Sequence, residues 1–255
     1  NGAPLYPQLP MLIAPMIAVS GAGLPLTGNI HGKVIGLCSL MDESACPWHG
    51  DWYRQAIRRC QVDEETHFRL YYHENSVHDD RAGYLYDPQH QVDYLGTLHQ
   101  ALLDVAAWCE KGIEPLPTTN YQFTDGQIVV PEHAGERGGM QPMVKASVFT
   151  GQNENQEAVQ AAVGQTVHFS AVIELAPGAG KVTKAAWDYE KTNDWSKGEI
   201  LTVQQDGSFL VETTHIFTKP GVYYPCIKVQ SNRHGDVSDI FTQCKNLARV
   251  KVVVQ

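Results

Sequence analysis

The pattern of apolar and polar residues changes its period once along the chain. Before about residue 115, short apolar runs alternate with segments of helical spacing. The runs 34–38 and 68–72 have strand character, and residues 52–59 between them have helical character. Strands that alternate with helices are typical of a parallel α/β sheet. Residues 31–115 are therefore predicted to form an α/β unit.

The longest predicted helix covers residues 94–111. Gly112 stands where a C-cap glycine is expected, and Pro115 follows it. The apolar residues of this segment recur at intervals of three and four, which predicts one buried stripe. The predicted stripe consists of Leu95, Leu98, Leu102, Val105 and Cys109.

Residues 116–142 resemble a linker in composition, with one predicted hairpin. Residues 121–123 and 127–130 flank Asp125-Gly126, a dipeptide that favours a tight hairpin turn. A domain boundary is therefore predicted between residues 140 and 145.

From residue 143 to the end of the chain at 255, apolar residues alternate at period two. One example is the alternating set Val167, Phe169, Ala171 and Ile173, which predicts a strand with one buried face. Roughly seven such runs in about a hundred residues predict an all-β, immunoglobulin-like sandwich. The predicted strands are 144–149, 166–173, 181–189, 208–217, 221–230 and 248–254.

Residues 1–30 form a Pro/Gly-rich arm with two apolar runs. Such an arm must be covered, either by the α/β part of this chain or by a separate polypeptide, and the sequence does not choose between them. Its best apolar run, 10–19, is too short and too interrupted for a signal peptide. Because the chain begins with Asn, we expect that an upstream piece was removed or that a longer precursor exists.

Composition narrows the classes of partner. The hydrophobic fraction is 43%, enough for packed cores, and the net charge of −9 argues against a nucleic-acid partner. No apolar run reaches the length of a bilayer span, so no membrane association is predicted. No Cys/His spacing typical of zinc occurs, and neither a metal nor a cofactor is predicted.

Six cysteines are compatible with disulfides in a secreted or periplasmic protein. Cys226 and Cys244 fall on runs expected to be neighbouring strands, and Cys46 and Cys60 flank the first helix. Either pair could form a disulfide. Cys38 and Cys109 are predicted to be buried thiols.

The candidate chemistry lies on the two loops that follow the predicted strands of the α/β part. Asp42 follows the first strand and His78 the second, so both would lie at the carboxyl edge of a parallel sheet. An acid followed by a histidine suits the last two members of a nucleophile–acid–histidine triad. Asp42 is the candidate acid and His78 the candidate base.

Rival residues surround this pair. His73 is an alternative base and, with Trp48, a candidate for substrate binding; the neighbouring His49 could line a pocket or cover apolar surface. Alternative acids are Glu43 and Asp51, although a helix start explains Asp51 well.

The nucleophile is missing from the sequence. No Gly-x-Ser-x-Gly elbow occurs, Ser20 lies in a Gly/Pro loop, and Ser39 is too close to the acid. Cys38 and Cys46 have no visible activating group. We therefore expect the nucleophilic serine on a separate upstream chain from the same precursor, in an obligate complex.

Two resemblances complete this picture. Residues 33–115 resemble the C-terminal half of an α/β-hydrolase of the tannase and feruloyl-esterase group. The resemblance lies in Met41-Asp42, the segment 52–54, the run 68–72 leading to His78, and the helix end 107–112. This resemblance implies triad roles for Asp42 and His78. This chain departs from the family at two places. Residues 39–42 stand where the family has His-Gly-x-x-Asp, and Asp79 stands where the family often has a Cys directly after its catalytic histidine.

Residues 143–254 resemble a polycystic-kidney-disease-type, immunoglobulin-like domain through 186–189, 214–217 and 219–225. The function expected is a subunit of a serine hydrolase that cleaves small-molecule or polymeric esters, and less readily amides. The alternative is a non-catalytic binding or assembly protein that works through its β-sandwich.

Overall fold

The computed structural model describes residues 26–80, 87–151 and 156–255. Most of the predicted arm, including Ser20, lies outside these ranges. Within them the helices are α1 (Trp48–Arg59), α2 (Glu64–His67), α3 (Leu95–Lys111) and α4 (Ala134–Arg137). The strands of the N-terminal half are β1 (Val34–Ser39), β2 (Phe68–His73), β3 (Gln122–Thr124) and β4 (Gln127–Val129). Those of the C-terminal half are β5 (Met143–Phe149), β6 (Ala158–Ala161), β7 (Thr166–Glu174), β8 (Lys181–Asp188), β9 (Thr202–Val203), β10 (Phe209–Ile216), β11 (Gly221–Tyr223), β12 (Cys226–Asn232), β13 (Cys244–Arg249) and β14 (Lys251–Val254).

The predicted fold class is wrong. The described part of the chain is mainly β, with strands in several small sheets and only 17% helix. No α/β-hydrolase-like parallel sheet exists in the described residues; β1 and β2 pair in parallel, but as a sheet of two strands. The C-terminal half contributes most of the strands, which is why the β content dominates.

The second edge of β2 is closed by the chain itself. The backbone N–H of Thr119 donates to the carbonyl of Leu70 at 2.9 Å. The hydroxyls of Thr118 and Thr119 accept from the backbone N–H groups of Leu70 and Tyr72, at 3.1 and 3.3 Å. Two side-chain hydroxyls thus accept where the carbonyls of a further strand would accept, and one backbone N–H donates where the strand would donate. The sheet ends here because residues 118–119 occupy the edge without continuing it.

Helix α3 buries a different face from the one its apolar spacing predicts. Leu102 is 56% exposed, and Cys109 is also exposed. The helix packs instead through the opposite face, on which Gly96, Thr97, Gln100, Ala101 and Trp108 are buried. A Cβ at Gly96 would lie 1.9 Å from the carbonyl oxygen of Gln243, so only glycine permits this approach to the C-terminal half.

The predicted hairpin is present as β3 and β4, which pair antiparallel. Asp125 and Gly126 at its tip have φ values of 51° and 77°, the left-handed conformation that a type I′ turn requires.

The C-terminal half is built from three small sheets around one apolar core. Their strand orders are β5-β7-β10-β9, β11-β14-β6 and β13-β12-β8. The alternating residues of β7 point into this core: Val167, Phe169, Ala171 and Ile173 are all fully buried. The period-two pattern therefore identified the buried face of β7 correctly.

Neither predicted disulfide forms, and all six cysteines are free thiols. In the β12–β13 pair, Cys226 lies opposite Arg249 and Cys244 lies opposite Ser231, so these cysteines stand at opposite ends of the ladder. Cys46 and Cys60 stand at opposite ends of the twelve-residue helix α1, roughly 18 Å of helix axis apart.

The loop after β2 is anchored to the C-terminal half. The side-chain amide of Asn75 donates to Asn246 Oδ1 at 2.8 Å, and the backbone N–H of Val92 donates to the Asn75 carbonyl at 2.7 Å. Gln141 donates to the carbonyls of Glu74 and Lys245, at 3.0 and 2.8 Å. These bonds hold the start of the His78 loop in place. None of the helices in the described ranges is long and apolar enough to cross a bilayer.

Candidate active site

The parallel register of β1 and β2 brings the two candidate loops to one edge. Ser39 lies opposite His73, so both strands end at the same level. Beyond them, the backbone N–H of Leu40 donates to the His73 carbonyl at 2.8 Å, and that of Met41 donates to the Ser76 carbonyl at 3.0 Å. The two loops thus remain side by side as far as the candidate residues.

Asp42 and His78 meet in the geometry of a catalytic acid–base pair. Nδ1 of His78 lies 3.1 Å from Oδ1 and 3.1 Å from Oδ2 of Asp42. The carboxylate side chain is 11% exposed, whereas the imidazole is 50% exposed. Because Nδ1 faces the carboxylate, Nε2 lies on the opposite side of the ring and is directed away from Asp42. We call this pair the Asp42–His78 dyad.

The Asp42 carboxylate is fixed from behind by its own loop. Oδ1 accepts from the backbone N–H groups of Ser44 at 2.9 Å and Ala45 at 2.6 Å. This is the local turn that Asp commonly forms with the residues two and three positions ahead. The turn fixes the orientation of the carboxylate, so that both of its oxygens face Nδ1 of His78.

The two pKa values of the dyad move apart. Partial burial by itself raises the pKa of Asp42, but the backbone hydrogen bonds from Ala45 and Ser44 and the bond from His78 outweigh burial and lower it. The hydrogen bond and charge of Asp42 raise the pKa of His78 above its ordinary value, with smaller contributions from Glu43 and Asp79. The carboxylate therefore stays ionised while the imidazole exchanges a proton.

Two further groups brace the His78 backbone. The N–H of His78 donates to Glu43 Oε2 at 3.4 Å, and the hydroxyl of Tyr94 donates to the His78 carbonyl at 3.2 Å. Glu43, a rival acid in the sequence, thus contacts the backbone of the base and not its ring. Tyr94 was not identified from sequence, because its only signal was its position at the start of a helix.

The other candidate residues lie apart from the dyad. His73 is completely buried, with Nδ1 at 3.1 Å from both Ser76 Oγ and Gln141 Nε2, and burial lowers its pKa to about 4. Substrate contact by His73 would require this packing to open. Asp51, on helix α1, accepts from the Tyr121 hydroxyl at 2.7 Å and is therefore bonded to a residue outside the dyad.

Trp48 starts helix α1 and is exposed, with its ring 4.0 Å from that of His49. It remains a candidate for substrate contact because helix α1 begins close in sequence after the Asp42 loop.

Three of the candidate nucleophiles can be placed. Cys38 lies beneath helix α1, and burial, with the charge of Asp42, raises the pKa of its thiol to about 11, which suppresses thiolate formation. Cys46 and Ser39 are not hydrogen-bonded to the dyad. Within residues 26–80, 87–151 and 156–255, no hydroxyl or thiol of Ser, Thr or Cys hydrogen-bonds to His78. The same ranges contain no cluster of His, Cys, Asp and Glu suited to a metal.

Comparison with known proteins yields only distant likenesses. No protein-family profile and no curated protein matches the chain. Among solved structures, a GspB Siglec domain is similar over 44% of this chain and 57% of its own, with 16% identity and a TM-score of 0.26. An engineered protein is similar over 83% of this chain and 37% of its own, with 12% identity and a TM-score of 0.27. The chain thus spans little more than half of the first and about a third of the second, and likenesses this low leave the family open.

Proposed function

We propose that this chain supplies the acid and the base of a serine-dependent acyl hydrolase. The observation that carries the proposal is the Asp42–His78 dyad: Nδ1 lies 3.1 Å from both carboxylate oxygens, and the ring is half exposed. This is the arrangement in which a carboxylate fixes the tautomer of a histidine and stabilises the imidazolium. The nucleophilic serine would come from a polypeptide outside these 255 residues.

The proposed chemistry follows from the free ring nitrogen. Nε2 of His78 would take the proton of the serine hydroxyl as its oxygen attacks the ester carbonyl, and would return that proton to the leaving alcohol. Water, deprotonated by the same nitrogen, would then attack the acyl carbonyl, break its bond to the serine oxygen and release the acid, while His78 returns the proton to that oxygen. Asp42 stays ionised throughout. An ester is the favoured substrate because an alcohol leaves more readily than an amine.

Two surfaces support a partner polypeptide. Strand β1 pairs with β2 on one side, and no strand of the described ranges occupies its other edge. Open edges are readily completed by a strand of another chain. Helix α3 contacts β1 and also exposes Leu102 and Leu103, two apolar side chains that a partner polypeptide would cover.

The pKa of His78 provides a prediction for the chain alone. Because Asp42 stabilises the imidazolium, His78 should titrate above the ordinary histidine value of about 6.5. The neutral form, which accepts a proton, therefore appears only at higher pH than in an isolated histidine. Asp42→Asn should lower this pKa, and the acidic limb of any pH–rate profile should move to lower pH with it. Nitrogen-15 correlation spectra of the imidazole measure both the pKa and the Nδ1–H tautomer.

His133 is the matched control, because a carboxylate, that of Glu174, also raises its pKa. Its titration should not change in Asp42→Asn. An unchanged His78 titration in that variant would mean that the dyad does not form in solution.

Covalent labelling tests the proposal in the assembled protein. The assembly is purified without denaturant and treated with a fluorescent alkyl fluorophosphonate, which reacts with activated serines. We expect the label on a serine outside this chain and no label in an assembly with His78→Ala. Label on a serine of these 255 residues would overturn the assignment of the nucleophile to a partner. Full labelling in both Asp42→Ala and His78→Ala would overturn the catalytic role of the dyad.

A further inference from the structure

A second concave site lies on the C-terminal half, where the sheet β13-β12-β8 faces the segment 87–93. Its volume is about 300 Å³. Three lysines line it, together with Trp195 and the apolar side chains of Pro88, Val92 and Ala186. We call it the lysine pocket, after Lys184, Lys228 and Lys245. None of its residues belongs to the Asp42–His78 dyad.

Strand register builds the cationic floor of the pocket. Gln230 of β12 lies opposite Lys184 of β8 and Lys245 of β13, so these three residues form one row across the sheet. Lys228 lies two residues before Gln230, on the same face of β12. With a strand spacing of about 4.8 Å, the Lys184 and Lys245 backbones are separated by roughly 10 Å. The three lysines therefore line one concave area the size of a small molecule.

Only one of these lysines is neutralised nearby. Lys245 Nζ lies 2.7 Å from Asp93 Oδ2, and the Asp93 side chain is almost fully buried. Among the described residues, no carboxylate lies within ion-pair distance of Lys184 or Lys228. Carboxylates act on the other two lysines from a greater distance, Asp194 on Lys184 and both Asp93 and Asp188 on Lys228. Lys184 and Lys228 are thus the two ammonium groups of the pocket that have no direct ion pair within the described ranges.

Lys228 is held in a surrounding that disfavours its own charge. Its Nζ lies 4.4 Å from the centroid of the Trp195 ring, and burial lowers its pKa to about 8. The neighbouring Lys245 lowers this pKa further, while Cys226, Asp93 and Asp188 oppose the shift. A bound anion would supply the missing counter-charge, because an opposite charge nearby favours the ammonium form.

We infer that the lysine pocket binds a small carboxylate carried on a ring. The carboxylate would lie between Lys184 and Lys228, and the ring against Trp195 and the apolar wall. The pocket is too large for an inorganic anion alone, and its polar neutral groups, Gln230 and Asn193, suit a single carboxylate with few further polar groups. A few convergent polar groups in a mainly apolar concavity are the usual composition of a ligand site. This site is independent of the proposed hydrolase.

Binding can be tested by isothermal titration calorimetry on the full chain. Sodium benzoate and sodium glucuronate are the two probes, and benzamide and methyl glucoside are their uncharged counterparts. We expect millimolar binding of at least one carboxylate, weakened by added sodium chloride, and no binding of the uncharged pair. The stronger carboxylate shows whether the ring is aromatic or a sugar.

Charge-removing variants locate the site. Lys228→Gln and Lys184→Gln should each weaken binding about tenfold, which corresponds to about 1.4 kcal/mol. Lys145→Gln is the matched control, since Lys145 is an exposed lysine on β5, outside the pocket, and should leave the affinity within twofold. If Lys228→Gln does not fold, the affinity of Lys184→Gln for the carboxylate still tests the site.

Chemical modification gives a second measurement. Reductive methylation with carbon-13 formaldehyde should show Lys228 titrating near pH 8, and saturating carboxylate should raise this pKa. The inference is overturned if neither carboxylate binds, if benzamide binds as well as benzoate, or if both lysine variants bind like the unmodified chain.

Discussion

His78→Ala is expected to lower kcat/KM of the proposed hydrolase assembly for p-nitrophenyl acetate by about 10⁴- to 10⁶-fold. The reason is geometric: His78 is the group of the dyad whose second nitrogen is free to accept the proton of a nucleophile. Asp42→Asn should cost about 10⁴-fold, because an amide can no longer fix the Nδ1–H tautomer or stabilise the imidazolium. The double variant should be hardly slower than His78→Ala, since triad members act as a unit.

His133→Ala is the matched control for this series. His133 also pairs with a carboxylate, that of Glu174 at 3.0 Å, but lies outside the dyad. Its removal should leave kcat/KM within twofold. If His133→Ala lost as much activity as His78→Ala, a general loss of folding would explain both. If His78→Ala kept more than about a tenth of the activity, an effect this small would exclude it as the general base.

The dyad was predictable from sequence because it depends on few interactions. Two short apolar runs, each followed by a polar loop, place Asp42 and His78 at one edge as soon as the runs pair in parallel. That requirement is local and needs no knowledge of the rest of the fold. The supporting groups were not predictable, because the Tyr94 hydroxyl reaches the His78 carbonyl only through the tertiary placement of helix α3.

The fold class failed for a related reason. Alternating strands and helices predict a parallel sheet only if further strands join, and here the hydroxyls of Thr118 and Thr119 close the edge of β2. No periodicity in the sequence predicts that residues 118–119 occupy this edge. The same limit explains helix α3: spacing identified its apolar stripe, but Gly96 allows so close an approach to Gln243 that the opposite face is buried.

The free energy that holds the chain folded is expected to come mainly from the core of the C-terminal half. Phe169 is 1% exposed, and its ring lies 5.2 Å from that of Trp187 and 5.1 Å from that of Tyr189. Phe169→Ala removes these contacts and leaves a cavity between the sheets, which should lower the free energy of unfolding by about 3–5 kcal/mol. Urea denaturation followed by tryptophan fluorescence measures this loss.

Phe123→Ala provides the control, because Phe123 is the same residue type on the hairpin β3–β4 and is 53% exposed. Its free energy of unfolding should stay within about 0.5 kcal/mol of the unmodified chain. Equal losses in the two variants would contradict the assignment of the main core to the C-terminal half. The dyad has its own readout in Phe169→Ala. Under conditions where that variant remains folded, the His78 titration should be unchanged, because the pair lies on the loops after β1 and β2 and does not contact the apolar core of the C-terminal half.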